Sequence, residues 1–163
     1  MAKYKNQAII DYPIEEVFRV FKKTAKRDFP KFNENNPVGT MVERSVGAYS
    51  VRSGKMVVEI TDYKQNECYE ITSNQNGILY KSRYELYPVD NKKTKLILIE
   101  ENHSSGYFNS FNVFIAGIFF KGRVRKRFGF LIKGLEEQIK NNIEKTQRSA
   151  PKIDNNAIKE GMI

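Results

Sequence analysis

Tryptophan is absent, and cysteine and histidine occur once each among 163 residues. One thiol excludes an intramolecular disulfide, and one imidazole excludes any zinc or iron site that draws two histidines from one chain. The longest apolar run, Phe111 to Phe120, is broken by Asn112 and falls far short of the ~20 residues a membrane-crossing helix needs. The opening MAKYKNQAIID lacks the apolar core of a signal peptide, so the expected location is cytoplasmic. No G-x-x-x-x-G-K, G-x-G or C-x-x-C occurs, which removes phosphate loops and thiol redox motifs. Acidic residues are missing from His103 to Gly134, where Lys121, Arg123, Arg125, Lys126, Arg127 and Lys133 carry much of the net charge of +9. Such a basic stretch is either a solvated helix face or a contact with an anionic surface.

What is present is a soluble globular composition: 40% hydrophobic and 29% charged, with 11 Phe and 9 Tyr to build an aromatic core or pocket. Residues 4–10 read as a short strand. In Asp11-Tyr12-Pro13-Ile14-Glu15-Glu16-Val17-Phe18 the proline suits a first helical turn, and the two acids suit the positive end of a helix dipole. Ile14, Val17, Phe18 and Phe21 then form one apolar stripe. The helix is expected to continue, after a break, to about Asp28, and Pro30 stops it. Strands are expected near 40–46, 48–52, 55–63, 67–74, 78–88 and 94–103, separated by Ser53-Gly54, Gln65-Asn66, Asn74-Gln75-Asn76-Gly77 and Asp90-Asn91-Lys92. Tight turns between consecutive strands make an antiparallel meander, about seven strands with the first one included.

The last part is helical. Val124, Phe128, Leu131, Ile132, Leu135, Ile139 and Ile143 share one face, which must lie on the sheet. The apolar residues of 111–120 are out of phase with it, so a kink, loop or separate short helix is expected near 116–122, marked by Gly117 and Gly122. Gly122, Gly129 and Gly134 either permit close packing on the sheet or leave room beneath the helix. Residues 1–147 read as one domain and 148–163 as a polar, flexible tail.

This α+β order of strand, one or two short helices, meander and long C-terminal helix resembles the helix-grip superfamily (START, Bet v 1-like and polyketide cyclase-like proteins). The segment from Asp11 to Phe18 is similar to that superfamily's opening "Pro, two positions, acidic, Val, aromatic" helix start. Phe119-Phe120-Lys121-Gly122-Arg123-Val124-Arg125-Lys126-Arg127-Phe128, running into Leu135-Glu136-Glu137-Gln138-Ile139, resembles the closing helix of a small bacterial branch of unassigned function. The resemblance covers nearly all of residues 3–147. It implies a curved antiparallel sheet gripping the long helix over a cavity. Members bind sterols, lipids, hormones or polyketides, and some catalyse cyclisation or hydrolysis there. Fold alone does not decide among these uses.

The residues themselves suit either a cavity or a core that they fill without leaving a void. Ile78, Tyr80, Ser82, Tyr84 and Leu86 alternate with mostly charged neighbours, so one strand face combines apolar bodies with hydroxyl groups, as a ligand pocket does. The expected lining is Met56, Val58, Ile60, Tyr80, Ser82, Tyr84, Leu96, Leu98, Phe128, Leu131 and Leu135. The main expectation is therefore carriage of a small hydrophobic or amphipathic ligand, with no cofactor or metal implied. His103 is a weak catalytic candidate: imidazole is the side chain best suited to general acid–base work, but it stands beside Ser104 and Ser105 on a strand, where neighbours point to opposite faces. A cavity enzyme of cyclase or hydrolase type stays as an alternative. So does an interaction module using 111–127, with Phe119, Phe120, Lys121, Arg123, Arg125, Lys126 and Arg127 as a patch for homodimerisation or an anionic membrane surface. Nucleic acid is disfavoured, since the presumed inner sheet face has no basic-aromatic platform.

Overall fold

The computed structural model describes residues 2–46, 54–103 and 121–149. Strand β1 (Ala2–Ile10) leads into helix α1 (Ile14–Asp28), followed by β2 (Met41–Val46), β3 (Gly54–Lys64), β4 (Cys68–Gln75), β5 (Ile78–Pro88), β6 (Thr94–His103) and helix α2 (Lys121–Ser149). The strands form one antiparallel sheet in the order β1-β6-β5-β4-β3-β2. It has six strands rather than seven. The strand expected over 48–52 lies outside the described residues, and β2 pairs directly with β3 from Val46 opposite Gly54 to Met41 opposite Glu59. The apolar run 111–120 and the tail from residue 150 also lie outside the described residues, while α2 itself extends to Ser149.

Local sequence accounts for these elements. Asn76 and Gly77 both take positive φ, which matches a two-residue turn to the twist of its strands and joins β4 to β5. Lys92 donates its backbone N–H to Asp90 Oδ1 at 2.7 Å in the turn before β6. Helix α1 has Glu15 and Glu16 in its first turn and Lys26 and Arg27 in its last, the favourable arrangement at both ends of the dipole. It runs unbroken for 15 residues, so the expected break is absent and there is one helix here. Lys22, Lys23 and Thr24 are polar, but Ala25 and Phe29 carry the stripe of Phe18 and Phe21 onward at helical spacing. All four are buried.

Because β1 and β2 are the two edges of the sheet, the segment from Pro13 to Thr40 must cross from one edge to the other. In crossing, α1 covers part of the inner face. Phe18 meets Tyr63 edge-on at 5.3 Å, and Phe21 lies 4.9 Å from Tyr84 between ring centroids. Ile10, Val58, Ile60, Tyr69, Leu86 and Leu96 complete this core from the sheet, with Leu135 and Ile139 from α2. Leu131, Ile132 and Ile143 pack at its margin. The expected helix stripe is thus the buried one, apart from Val124, whose side chain is not described. Among the described residues nothing lies within 4 Å of a Cβ added at Gly129 or Gly134, so close packing against them is not the reason for either.

The outer face is polar and cross-linked. Arg83 donates from Nη1 to Asp62 Oδ2 at 2.8 Å and Glu70 Oε2 at 3.2 Å, and from Nε to Glu85 Oε1 at 3.0 Å. Thr61 Oγ1 donates to the other oxygen of Glu70 at 2.8 Å, which leaves that buried carboxylate bonded at both ends. Hydrogen bonding from Arg83 holds the Asp62 carboxyl below its ordinary value.

Substitution tests both the helix packing and the outer network. Gly129→Ala and Gly134→Ala should each raise the unfolding free energy by up to about 1 kcal/mol, read by denaturant titration, because the new methyl meets no obstacle and helix propensity improves. Arg83→Met should destabilise by roughly 1–3 kcal/mol at neutral pH, less than for a fully buried pair because Arg83 and Asp62 remain partly exposed. Asp62 titrates lower in the fold than unfolded, so the stability it contributes is present above its ordinary 3.8 and is lost as pH falls through the lowered value. The gap between wild type and Arg83→Met should accordingly narrow in acid.

Candidate functional site

Strand alternation assigns the inner face. Opposed residues across the sheet form rows: Leu86 with Leu96, Tyr84 with Tyr69 and Leu98, Ser82 with Ile71 and Glu100, and Tyr80 with Ser73 and Asn102. The expected lining residues of β3, β5 and β6 all fall on this face, opposite α1 and α2. Val58, Ile60, Leu96, Leu98, Phe128 and Leu135 are buried; Met56, Tyr84 and Leu131 are partly buried against the core, and Tyr80 and Ser82 are intermediate.

The face is divided along its length. Toward α1 it is apolar and filled. Away from α1 it carries Ser82, Glu100, Tyr80, Ser73, Asn102 and Gln75, all on the inner side of their strands. Glu100 is 6% exposed. Its Oε1 lies 3.6 Å from Nη2 of Arg127, which is itself half-exposed on α2. Burial pushes the Glu100 carboxyl up, and Arg127 offsets part of that shift. Burial, reinforced by the charge of Glu100, pushes the Tyr84 hydroxyl up to about 12. Tyr84, Leu98, Glu100, Arg127, Phe128 and Leu131 enclose a void of about 20 Å³, room for one water molecule.

Three polar atoms of this face are buried without a hydrogen-bond partner among the described residues: Nε2 and Oε1 of Gln75, and Oδ1 of Asn102. Gln75 is only 2% exposed. The sequence reading misses these two residues and Glu100. For Glu100 and Asn102 a signal exists, since they continue the alternation of Leu96 and Leu98. Gln75 reads as part of the turn, but β4 extends through it.

His103 does not join the site. It pairs with Leu79 on the outer face, 44% of its side chain is exposed, and its Nε2 is 3.5 Å from Glu101 Oε2. The two residues share strand parity, which turns both away from the helices. Of the expected surface patch, Arg125, Lys126 and Arg127 are exposed, and Arg127 reaches inward to Glu100. Phe119 and Phe120 lie outside the described residues, as do the side chains of Lys121 and Arg123. On the outer face an open groove of about 310 Å³ runs past Lys64, Cys68, Arg83 and Glu85. Arg83 is already committed there to three carboxylates, and burial pushes the Cys68 thiol up, which makes it a poor nucleophile. Among the described residues, no helix is long and apolar enough to cross a membrane.

The family described as a domain of unknown function, DUF3284, matches residues 5–121. The chain belongs to that family. No curated protein matches this DUF3284 chain in sequence. Its fold is similar to that of Ara h 8.0201, at 12% identity and a TM-score of 0.58, covering 86% of this chain and 98% of that one. Norcoclaurine synthase from Thalictrum flavum is similar at 10% identity and a TM-score of 0.57, over 85% of this chain and 86% of that one. TTHA0849 from Thermus thermophilus matches at 15% identity and a TM-score of 0.56, over 86% and 99%. The chain thus shares the fold of these three proteins, with six strands and a closing helix among the described residues.

Glu100 provides a direct test of the site's electrostatics. Its folded value lies above its ordinary 4.5, so stability is lost as pH rises through that range. Glu100→Gln should therefore be more stable than wild type at neutral pH, with the difference shrinking below pH 4.5 in melting experiments.

Proposed function

We propose that this domain binds a small amphipathic molecule between the inner sheet face and α2. One observation carries the reading: a buried carboxyl with a half-exposed guanidinium beside it, set among Tyr84, Leu98, Phe128 and Leu131. Apolar walls with a few convergent polar groups are what orient a small ligand. The fold supports it too, since the synthase that shares this fold has also been solved with a transition-state analogue. The void at Glu100 has room for a single water, so a ligand is admitted when the first turns of α2 lift away from β5 and β6. The Glu100–Arg127 pair is the polar contact that opens in that motion. Binding without chemistry is the favoured form, because His103 faces outward and Glu100 is paired with Arg127 rather than with a second acid.

Native mass spectrometry tests this on protein purified gently from its own host. An adduct of a few hundred daltons that disappears on organic extraction is the expected result. A bare mass, together with no displaceable binding of anilinonaphthalene sulfonate, would overturn the proposal.

A further inference from the structure

We infer that the bound molecule carries one negative charge at its polar end, as a carboxylate does, and that Arg127 leaves Glu100 to hold it. The inference rests on the binding reading above and names the ligand class for it. Arg127 spans the boundary between water and the buried site. Half its side chain is exposed, while its Nη2 lies 3.6 Å from Glu100 Oε1 at the void walled by Tyr84, Leu98, Phe128 and Leu131. A molecule entering beneath the first turns of α2 therefore meets a guanidinium with apolar walls behind it. Charge-assisted hydrogen bonds run at about 2.7–2.9 Å, so this pair has not closed into the bidentate fork that a guanidinium makes with a fully engaged carboxylate.

Charge selects the sign of the head group. Arg125 and Lys126 are exposed beside Arg127, and the sequence holds no acid from His103 to Gly134. Residues 47–53 and 104–124 contain three charged side chains, Arg52, Lys121 and Arg123, and all are positive. Wherever those segments lie, they add to the positive potential. Glu101, next to Glu100 in the chain, turns to the outer face and is engaged by Lys3 at 2.8 Å. A cluster of one sign beside apolar walls draws ligands of the opposite charge. An ammonium head would have to pass these cations and compete with Arg127 for Glu100. Exchange of partners also leaves no buried charge behind. Burial already pushes the Glu100 carboxyl up, so it takes a proton as the guanidinium turns to the ligand. Among the described residues, Glu100 is faced by Tyr4 on β1, Ser82 and Tyr84 on β5, and Arg127 on α2. Arg127 is the cation of that set, and the others are hydroxyls.

Calorimetric titration of the full chain at pH 7 with decanoate, methyl decanoate and decylamine tests the assignment. Decanoate should bind wild type about tenfold tighter than methyl decanoate, the scale of one charge-assisted contact, and decylamine should bind weakest. Arg127→Met should erase the preference for decanoate and leave methyl decanoate binding unchanged. Lys126→Gln removes a neighbouring charge and should weaken decanoate by no more than about twofold. Equal losses in these two variants would mean diffuse attraction to the helix and would sink the inference. Glu100→Gln should tighten decanoate binding, because Arg127 is then no longer shared with an acid. Should Arg127→Met fail to fold, Glu100→Gln reads the exchange independently, and unchanged or weaker decanoate binding there overturns it. Equal binding of the three probes, or a preference for decylamine, overturns the head-group assignment while the binding function stands. Binding of none overturns both.

Discussion

Ile139 has no accessible surface because α2 packs on α1 and the sheet at once, and the rest of the molecule is arranged by that double contact. A single helix stripe of Phe128, Leu131, Leu135 and Ile139 has to be buried, and burying it fixes the rotation of α2 about its axis. Arg127, one position before Phe128, is then carried to the flank that overlooks β6. The guanidinium keeps half its surface in water while its tip reaches Glu100. The burial of Glu100 and its ion pair are consequences of where the apolar stripe must go. Lys23 Nζ donating to Asn142 Oδ1 at 2.6 Å ties the other end of α2 to α1.

The sheet serves two different environments through strict alternation. Its outer side gathers Asp62, Glu70 and Glu85 around Arg83, and both oxygens of the buried Glu70 find a donor there. Its inner side is covered by α1 for part of its length, and there the side chains are apolar and interlocked. Beyond α1 the same strands carry hydroxyls, amides and one carboxyl inward. A protein optimised only for stability would place aliphatic side chains at those positions. The polar half is where local rules of core composition give way.

Much of this arrangement is legible in the letters. The alternation of Tyr80, Ser82 and Tyr84 identifies the inward side of β5, and the 3.6-residue stripe identifies the buried side of α2. The unbroken course of α1 is not, because the polar run Lys22-Lys23-Thr24 hides a stripe that resumes at Ala25. The inward placement of Glu100 and Asn102 follows from the same parity as Leu96 and Leu98, but an expectation of apolar lining obscures it. Gln75 is harder to see: beside Asn76 and Gly77 its letters belong to a turn, and only the strand pairing with Ile78 places it in β4.

Spacing within a few residues was enough to establish the element order, the antiparallel meander and the faces of β5 and α2. Which polar groups are satisfied was settled only when distant segments came together. Arg83 and Glu70 meet from neighbouring strands, Arg127 and Glu100 meet across the helix–sheet interface, and Gln75 finds no partner among the described residues. Periodicity sets the direction in which a side chain points, whereas burial and hydrogen bonding depend on what the distant chain brings opposite it.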